Sequence, residues 1–217
     1  ANRFKIQIDL SDKEKKLVLK RIPEVRKGFI NYFGQQRFSS GGTAKIGKEI
    51  LNSDFENAVK IILSEHSNQK EFDEFVLKNW KNWSIILKEC PKFFGIESKV
   101  LNYLVKNPTD YAGAIRKISK PLRRLYVHAF QSLIWNKAIS KMLEGKKLSL
   151  PGHNVVIPEK LPKKRMLPIP GLDTDYSTKF GKLLMNELNK EKIKVENLNL
   201  KSMPELKSWG AERDMIL

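Results

Sequence analysis

The chain has 217 residues, of which 41% are hydrophobic, so it can bury one large or two small cores, and wholesale disorder is excluded. A formal net charge of +17 indicates a polyanionic partner, with nucleic acid as the first candidate and an anionic membrane as the second. The single cysteine excludes an internal disulfide and is typical of a reducing compartment.

The first residues show no secretory signal pattern, and no uncharged apolar stretch approaches the roughly 18 residues of a membrane span. We therefore expect no membrane association and a cytoplasmic protein, or a nuclear one in a eukaryote. Residues 4 to 10 alternate between apolar and polar side chains, which predicts a half-buried strand. Ser11 with Glu14 forms a capping-box pattern and predicts a helix that Pro23 cuts or kinks near residue 22. The predicted apolar face comprises Leu17, Val18, Ile22 and Val25.

The run from Gly28 to Gly42 follows neither a period of two nor one of 3.6, so it predicts an irregular segment. It combines aromatic residues with amides and one arginine: Phe29, Tyr32, Phe33, Phe38, Gln35, Gln36 and Arg37. Such a segment suits a site where an aromatic face stacks on a base while polar groups contact its edge or a phosphate. The alternative interpretation is a hydrophobic loop against the core, with Arg37 paired to a carboxylate.

The middle of the chain predicts a series of helices. Ser53 with Glu56 is a second capping box, and a helix over residues 71 to 89 carries Trp80 and Trp83, which are core residues or stacking platforms for bases. Shorter helices are expected over residues 97 to 106 and after Pro108. The longest covers about 121 to 144, with Gly145 as its cap and one apolar stripe. The stripe comprises Leu122, Leu125, Ala129, Leu133 and Leu143.

The last third predicts a hairpin over Leu148 to Ile157 that turns at Pro151 and Gly152. An exposed basic loop follows, which is a solvated linker or an RNA-backbone contact, and contains Lys160, Lys163, Lys164 and Arg165. The prolines predict an extended segment over residues 167 to 171. A helix over 175 to 190 and short strands at 198 to 200 and 213 to 217 complete the chain.

Metal and nucleophile chemistry find little support in the residue spacing. The three histidines, His66, His128 and His153, lack any metal-ligand spacing, and Cys90 before a proline is expected to be inert. On the long helix, His128 is expected to be structural or on the helix face. Gln131 and Asn136 are expected to bond neighbouring backbone, and Arg123 and Arg124 are candidate phosphate contacts.

Two motifs carry a family resemblance. Asn31-Tyr32-Phe33-Gly34 followed by Gln36-Arg37-Phe38 resembles the central motif of the TruD family of tRNA pseudouridine synthases, with Ile30 and Ser39 replacing the usual proline and glycine. Leu122 to Ser132, followed by Trp135-Asn136, resembles the helix motif of the archaeal and eukaryotic branch, with Phe130 in place of tyrosine.

The resemblance implies an α+β fold: part of a mixed, mainly antiparallel pseudouridine-synthase sheet plus a mostly helical inserted domain. Residues 1–45 and 205–217 would belong to the catalytic domain, and residues 46–204 to the insertion. It also implies isomerisation of uridine in tRNA or another structured RNA, without a cofactor or metal. Phe33 would stack on the base, Asn31 would bond the base or position the nucleophile, and Arg37 would brace the loop or meet a phosphate.

The family's catalytic aspartate lies in a Gly-x-Lys-Asp stretch upstream of the strand that matches residues 2 to 10, and a late aromatic strand would fall beyond Leu217. We therefore expect this chain to be a central fragment, inactive by itself, with no catalytic residue of its own. The alternative is a non-catalytic basic RNA-binding domain. A basic membrane-surface protein is the third hypothesis, but the sequence lacks a cationic amphipathic helix with an aromatic-rich face.

Overall fold

A 23-residue helix, α9, runs through the centre of the computed structural model, which describes residues 5, 7–39, 42–66, 68–150 and 152–217. The helices are α1 (Asp12–Val25), α2 (Gln35–Phe38), α3 (Gly42–Leu51), α4 (Phe55–Ser64), α5 (Lys70–Lys78), α6 (Trp83–Glu89), α7 (Gly95–Lys106), α8 (Tyr111–Arg116), α9 (Lys120–Met142) and α10 (Lys179–Lys190). Short 3-10 helices cover Val195–Leu198 and Pro204–Leu206. The strands are β1 (Gly145–Leu150), β2 (His153–Pro158), β3 (Met166–Ile169) and β4 (Ala211–Asp214).

Helix α9 packs most closely against α3. A Cβ added to Gly47 would lie 2.0 Å from the carbonyl oxygen of Tyr126, so only glycine permits this approach of the two backbones. The predicted single apolar stripe on α9 is wrong, because Leu125 is exposed while Trp135 and Asn136 on another face are completely buried. Neighbouring elements surround the helix on several sides. Gly145 is not its cap either, since α9 ends at Met142 and Gly145 begins β1.

The predicted helix over 71 to 89 is two helices, α5 and α6. The Asn79 side chain donates to the carbonyl oxygen of Phe75 at 2.9 Å, and Lys81 has φ +75°, so the chain leaves the helical path between them. The core interpretation of the tryptophans is confirmed for Trp83, which is buried and donates to the carbonyl oxygen of Pro108. Trp80 packs edge-on against it, with ring centroids 4.9 Å apart.

Of the two predicted capping boxes at helix N-termini, the structure contains one. The predicted capping box at Ser53 is wrong: Asp54 is the N-cap of α4 and accepts from the backbone N–H of Asn57. The capping box at Ser11 is confirmed, with both of its hydrogen bonds to Glu14 present. Helix α1 nevertheless continues through Pro23 to Val25.

The apolar face of α1 is exposed, as Leu17 at 58% and Val25 at 56% show, so its amphipathic pattern finds no partner among the described residues. Of the strand predicted over residues 4 to 10, Phe4 and Ile6 lie outside the described residues. The described Ile8 and Leu10 are exposed and not in a strand, so that part of the prediction is wrong.

Two antiparallel strand pairs accompany the helices. The hairpin is confirmed in register, from Gly145 opposite Pro158 to Leu150 opposite His153, although Pro151 of its turn lies outside the described residues. Strand β3 pairs with β4, and an antiparallel bridge joins Ile30 to Ile216. The short strand predicted around residues 198 to 200 is wrong, because Val195–Leu198 forms a 3-10 helix.

The fold is α+β, as predicted. One buried hydrophobic cluster extends from Ile30 through the helices to Ile216. Residues 29 to 31 bond residues 215 to 217, although the domain boundaries at 45/46 and 204/205 stay predictions. Within the described part of the chain, none of the helices combines the length and apolar character needed to cross a bilayer.

Candidate nucleic-acid interface

The central stretch, residues 28 to 39, lies beside the chain end that follows β4. Phe29 and Leu217 exchange backbone hydrogen bonds of 3.1 Å in both directions, and the Asn31 N–H donates to the Met215 carbonyl oxygen at 2.9 Å. The Met215 N–H in turn donates to the carbonyl oxygen of Arg165 at 3.0 Å. The fold therefore brings the central motif, the end of the chain and the basic loop together at one edge.

Asn136 on α9 fixes the backbone at Phe33. It is completely buried, its Oδ1 accepts from the Phe33 N–H at 3.0 Å, and its Nδ2 donates to the Phe33 carbonyl oxygen at 3.0 Å. The predicted structural role of Asn136 is thereby confirmed, and that of Gln131 likewise, because its Nε2 donates to the Pro170 carbonyl oxygen at 2.6 Å. The two family-like motifs thus contact each other through a buried amide.

The Asn31 side chain is bonded at both ends. Its Nδ2 donates to the carbonyl oxygen of Asp214 at 2.9 Å, and its Oδ1 accepts from Nη2 of Arg213 at 2.6 Å. The residue is 9% exposed. Its amide is therefore held by strand β4, and its contact with a substrate stays a prediction.

Two guanidinium groups lie close to the ring of Phe33, which is 8% exposed. The Cζ of Arg213 is 3.8 Å from the ring centroid and that of Arg37 is 5.5 Å from it, while Trp135 packs edge-on at 5.6 Å. Burial lowers the pKa of Arg213 below its usual value, and the charge of Arg37 lowers it further. The ring is thus buried against cations and one aromatic edge.

The expected alternative for Arg37, an ion pair with a carboxylate, is not found. None of the salt bridges in the described ranges involves Arg37 or Arg213. A stacked guanidinium retains its charge and its outward N–H groups, so this cluster can bind an anion or a planar polar group.

The two arginines at the start of α9 separate into different roles. Arg123 is buried, pairs with the carboxylate of Glu205 and donates from Nε to the Ile118 carbonyl oxygen at 3.0 Å. Its side chain is therefore structural here, which corrects its choice as a phosphate contact. Arg124 is exposed and donates from Nε to the backbone oxygen of Glu205 at 3.1 Å. It stays a candidate contact.

Arg124 lines a surface cavity of about 440 Å³ together with Lys120 and His128. Burial lowers the pKa of His128, and the charges of Arg37 and Arg124 lower it further. His128 is exposed on the face of α9, which agrees with one of the two roles expected for it.

The basic loop flanks the same edge. Lys163, Lys164 and Arg165 are all exposed. Leu161 of this loop has its Cδ1 3.7 Å from the position that a Cβ on Gly28 would take, where φ is +119°. These cations therefore lie next to the central stretch, and their contact with RNA stays a prediction.

Arg213 is the residue that sequence reasoning missed. The sequence shows it only as one charge at the start of a predicted terminal strand, and its partners Asn31 and Phe33 lie about 180 positions earlier. No local pattern reports such a contact. The pairing of the two chain segments is what reveals it.

Three features thus meet at this edge of the fold: a buried aromatic ring, a carboxamide beside it and a group of cations. The family model described as "tRNA pseudouridine synthase D (TruD)" matches residues 1–165, and the chain belongs to this family.

Several similar proteins carry names that agree with this family. A Methanopyrus kandleri protein named as a tRNA pseudouridine synthase D is 31% identical over 214 residues, covering 92% of this chain and 53% of that protein. Multisubstrate pseudouridine synthase 7 of Schizosaccharomyces pombe is 36% identical over 148 residues, covering 64% of this chain and 22% of the relative. A crystal structure titled as TruD from Methanosarcina mazei matches with a TM-score of 0.75 and 26% identity, over 98% of this chain and 57% of that one. The chain thus spans about half the length of the archaeal relatives it matches.

Proposed function

We propose that this chain supplies the base-stacking and RNA-binding part of a TruD-type tRNA pseudouridine synthase, an isomerase of uridine. The observation that supports this most is the Phe33 ring: Asn136 holds the backbone of this residue, and two guanidinium groups lie against the ring beside the Asn31 amide. Cytoplasmic location stays part of this proposal.

The reaction needs little from these residues beyond positioning. The bond between C1′ of the ribose and N1 of uracil breaks, the base rotates, and C1′ joins C5. C5 then loses its proton to water while N1 takes up a proton, so the product is an isomer of uridine. The target base must first leave the stack. In this proposal Phe33 stacks on the extruded uracil and Oδ1 of Asn31 accepts from its N3–H, while the acid that does the covalent or proton-transfer work comes from outside residues 1–217. No cofactor is required.

The test uses tRNA that carries tritium at C5 of uridine, because isomerisation releases that tritium to water. The whole protein is compared with Phe33→Leu and Asn31→Ala, and Phe29→Ala serves as the matched control because Phe29 lies in the same stretch and is 50% exposed. Loss of base stacking corresponds to about 1–3 kcal/mol, so Phe33→Leu should release tritium roughly tenfold to hundredfold more slowly. Asn31→Ala should also be slower, and Phe29→Ala should be close to wild type.

Near-normal release by both site variants would remove these residues from the active site. A thermal unfolding curve for each variant separates loss of fold from loss of function, since Phe33 and Asn31 are both buried. If the wild-type protein binds tRNA with strong salt dependence and releases no tritium, the non-catalytic RNA-binding domain is the correct function.

A further inference from the structure

Arg213 occupies one face of the Phe33 ring. Its Cζ lies 3.8 Å from the ring centroid, its Nε donates to the Asn31 carbonyl oxygen at 3.0 Å, and its Nη2 donates to Oδ1 of Asn31 at 2.6 Å. The guanidinium therefore uses the aromatic face and the amide oxygen that the proposed function assigns to the uracil.

The charge of this cluster has no counter-ion in the described part of the chain. Arg37 lies 5.5 Å from the same ring, and neither arginine forms a salt bridge there. The carboxylates next to Arg213 in sequence, Glu212 and Asp214, extend from the other face of β4, because successive strand residues alternate. Two like charges next to one buried ring repel each other, and an external anion would remove that repulsion.

We propose that Arg213 and Arg37 together bind a backbone phosphate of the RNA strand that reaches Phe33. The identity of the nucleotide at Phe33 rests on the proposed function, whereas the phosphate site itself does not. Guanidinium groups bind phosphate oxygens through paired charge-assisted hydrogen bonds, which are stronger than bonds to a neutral amide.

The geometry gives this phosphate a second effect. A base and the Arg213 guanidinium cannot share the same ring face, because the guanidinium lies 3.8 Å from the ring centroid and fills the space that a stacked base would occupy. Among the described residues, two hydrogen bonds to Asn31 and contacts with the rings of Phe33 and Trp135 hold the side chain in place. When Arg213 turns toward the phosphate, it uncovers the ring face and releases Oδ1 of Asn31 in one movement.

The test measures the affinity of the whole protein for a fluorescent tRNA transcript between 50 and 300 mM KCl, a range chosen on the order of physiological salt. Arg213→Gln should bind more weakly, and the slope of log K against log salt should fall by about 0.7–0.9, the value for one lost phosphate contact. Arg213→Lys should retain the wild-type slope, because it retains the charge. Arg21→Gln is the control, since Arg21 already pairs with Glu24 at 2.8 Å, and its slope should be unchanged.

An unchanged slope for Arg213→Gln would show that Arg213 only supports Asn31, and would overturn the inference. If Arg213→Gln does not fold, the other arginine of the pair carries the test through Arg37→Gln, and an unchanged slope there has the same consequence. A reduced slope in a protein that releases no tritium from tRNA would leave the phosphate site intact and refute the enzyme activity alone.

Discussion

The chain places cations on several aromatic rings, and two of these clusters differ in how the charge is balanced. In the helical middle, the His66 ring stacks on Phe94 with centroids 4.4 Å apart and lies between two carboxylates, Asp73 at 2.5 Å and Glu97 at 3.2 Å. At the central stretch, Arg213 lies on Phe33 with no carboxylate partner in the described ranges. Among the described residues, carboxylates balance the charge of the first cluster and none balances that of the second.

The His66 cluster connects three elements. His66 follows α4, Asp73 belongs to α5, and Glu97 belongs to α7. Asp73 also accepts from the backbone N–H of His66 at 2.8 Å. The hydrogen bond to Glu97 is the largest cause of a raised pKa for His66, and burial opposes it. This cluster therefore stabilises the packing of the helices.

The contrast lies in the charge: carboxylates of the fold compensate the His66 ring, whereas the Arg213 guanidinium is free to take an anionic ligand. Both rings are fixed by the protein, so rigidity alone does not separate the two cases. The charge balance distinguishes the two clusters, and substitutions in each cluster can test it.

Asn136→Leu should have the largest effect on stability, because it removes both hydrogen bonds that hold the Phe33 backbone and leaves a buried N–H and a buried C=O without partners. We expect the free energy of unfolding to fall by about 2–5 kcal/mol. Urea denaturation measures the change, and Asn102→Ala on the exposed side of α7 is the control, with less than about 0.5 kcal/mol expected. A small effect at Asn136 would mean that the ring is not held by α9.

Asp73→Ala should have the next largest effect and lower the free energy of unfolding by about 1–3 kcal/mol. The change removes two hydrogen bonds between Asp73 and His66 and leaves the hydrogen bond from His66 to Glu97. The adjacent, exposed Glu74 provides the control variant Glu74→Ala, which should be close to neutral. Equal midpoints for the two variants in urea would contradict the structural role of this cluster.

The balanced charge also predicts a pH dependence. The folded state raises the pKa of His66 above its unfolded value of about 6.5, so the stabilisation is fully present below that value and is lost as the pH rises through the folded pKa. His66→Gln should remove this decline in the urea midpoint.

His128 is expected to show the opposite pH dependence. Burial lowers the pKa of His128, so it contributes a stability that rises with pH up to about 6.5, and His128→Gln should remove that contribution. Parallel pH profiles for the two variants would refute the assignment.

Local patterns predicted much of this fold. The capping box at Ser11, the hairpin register, the extended proline segment and the helices α7, α8 and α10 depend on neighbours in sequence, and the structure contains them. The break at residues 79 to 82 was missed because a competing asparagine side chain and one left-handed residue outweigh an apolar pattern that runs through both helices.

Long-range contacts explain the other differences. The stripe on α9 was wrong because polar residues such as Asn136 are buried by partners a hundred positions away. Asn31, Phe33 and Arg37 could be located from their motif, and they do lie together. Arg213 could not, since nothing near residue 213 reports which ring its guanidinium will cover.

Arg37→Glu is expected to change stability least, and it is the variant that best distinguishes the two clusters. Arg37→Glu would place a carboxylate beside Arg213, supplying within the chain the counter-charge that the Phe33 cluster lacks, as Asp73 and Glu97 do for His66. We expect the free energy of unfolding to rise by up to about 1 kcal/mol, the range of a partly exposed ion pair, while tRNA affinity falls because the new carboxylate repels phosphate. Urea denaturation and tRNA titration of the same variant measure the two quantities.

Arg21→Glu is the control variant. Arg21 on α1 already pairs with Glu24, so this change should lower the free energy of unfolding, because it sets two carboxylates side by side. A loss of stability in Arg37→Glu would mean that the cluster is already neutralised, and an unchanged tRNA affinity would mean that its charge does not face RNA.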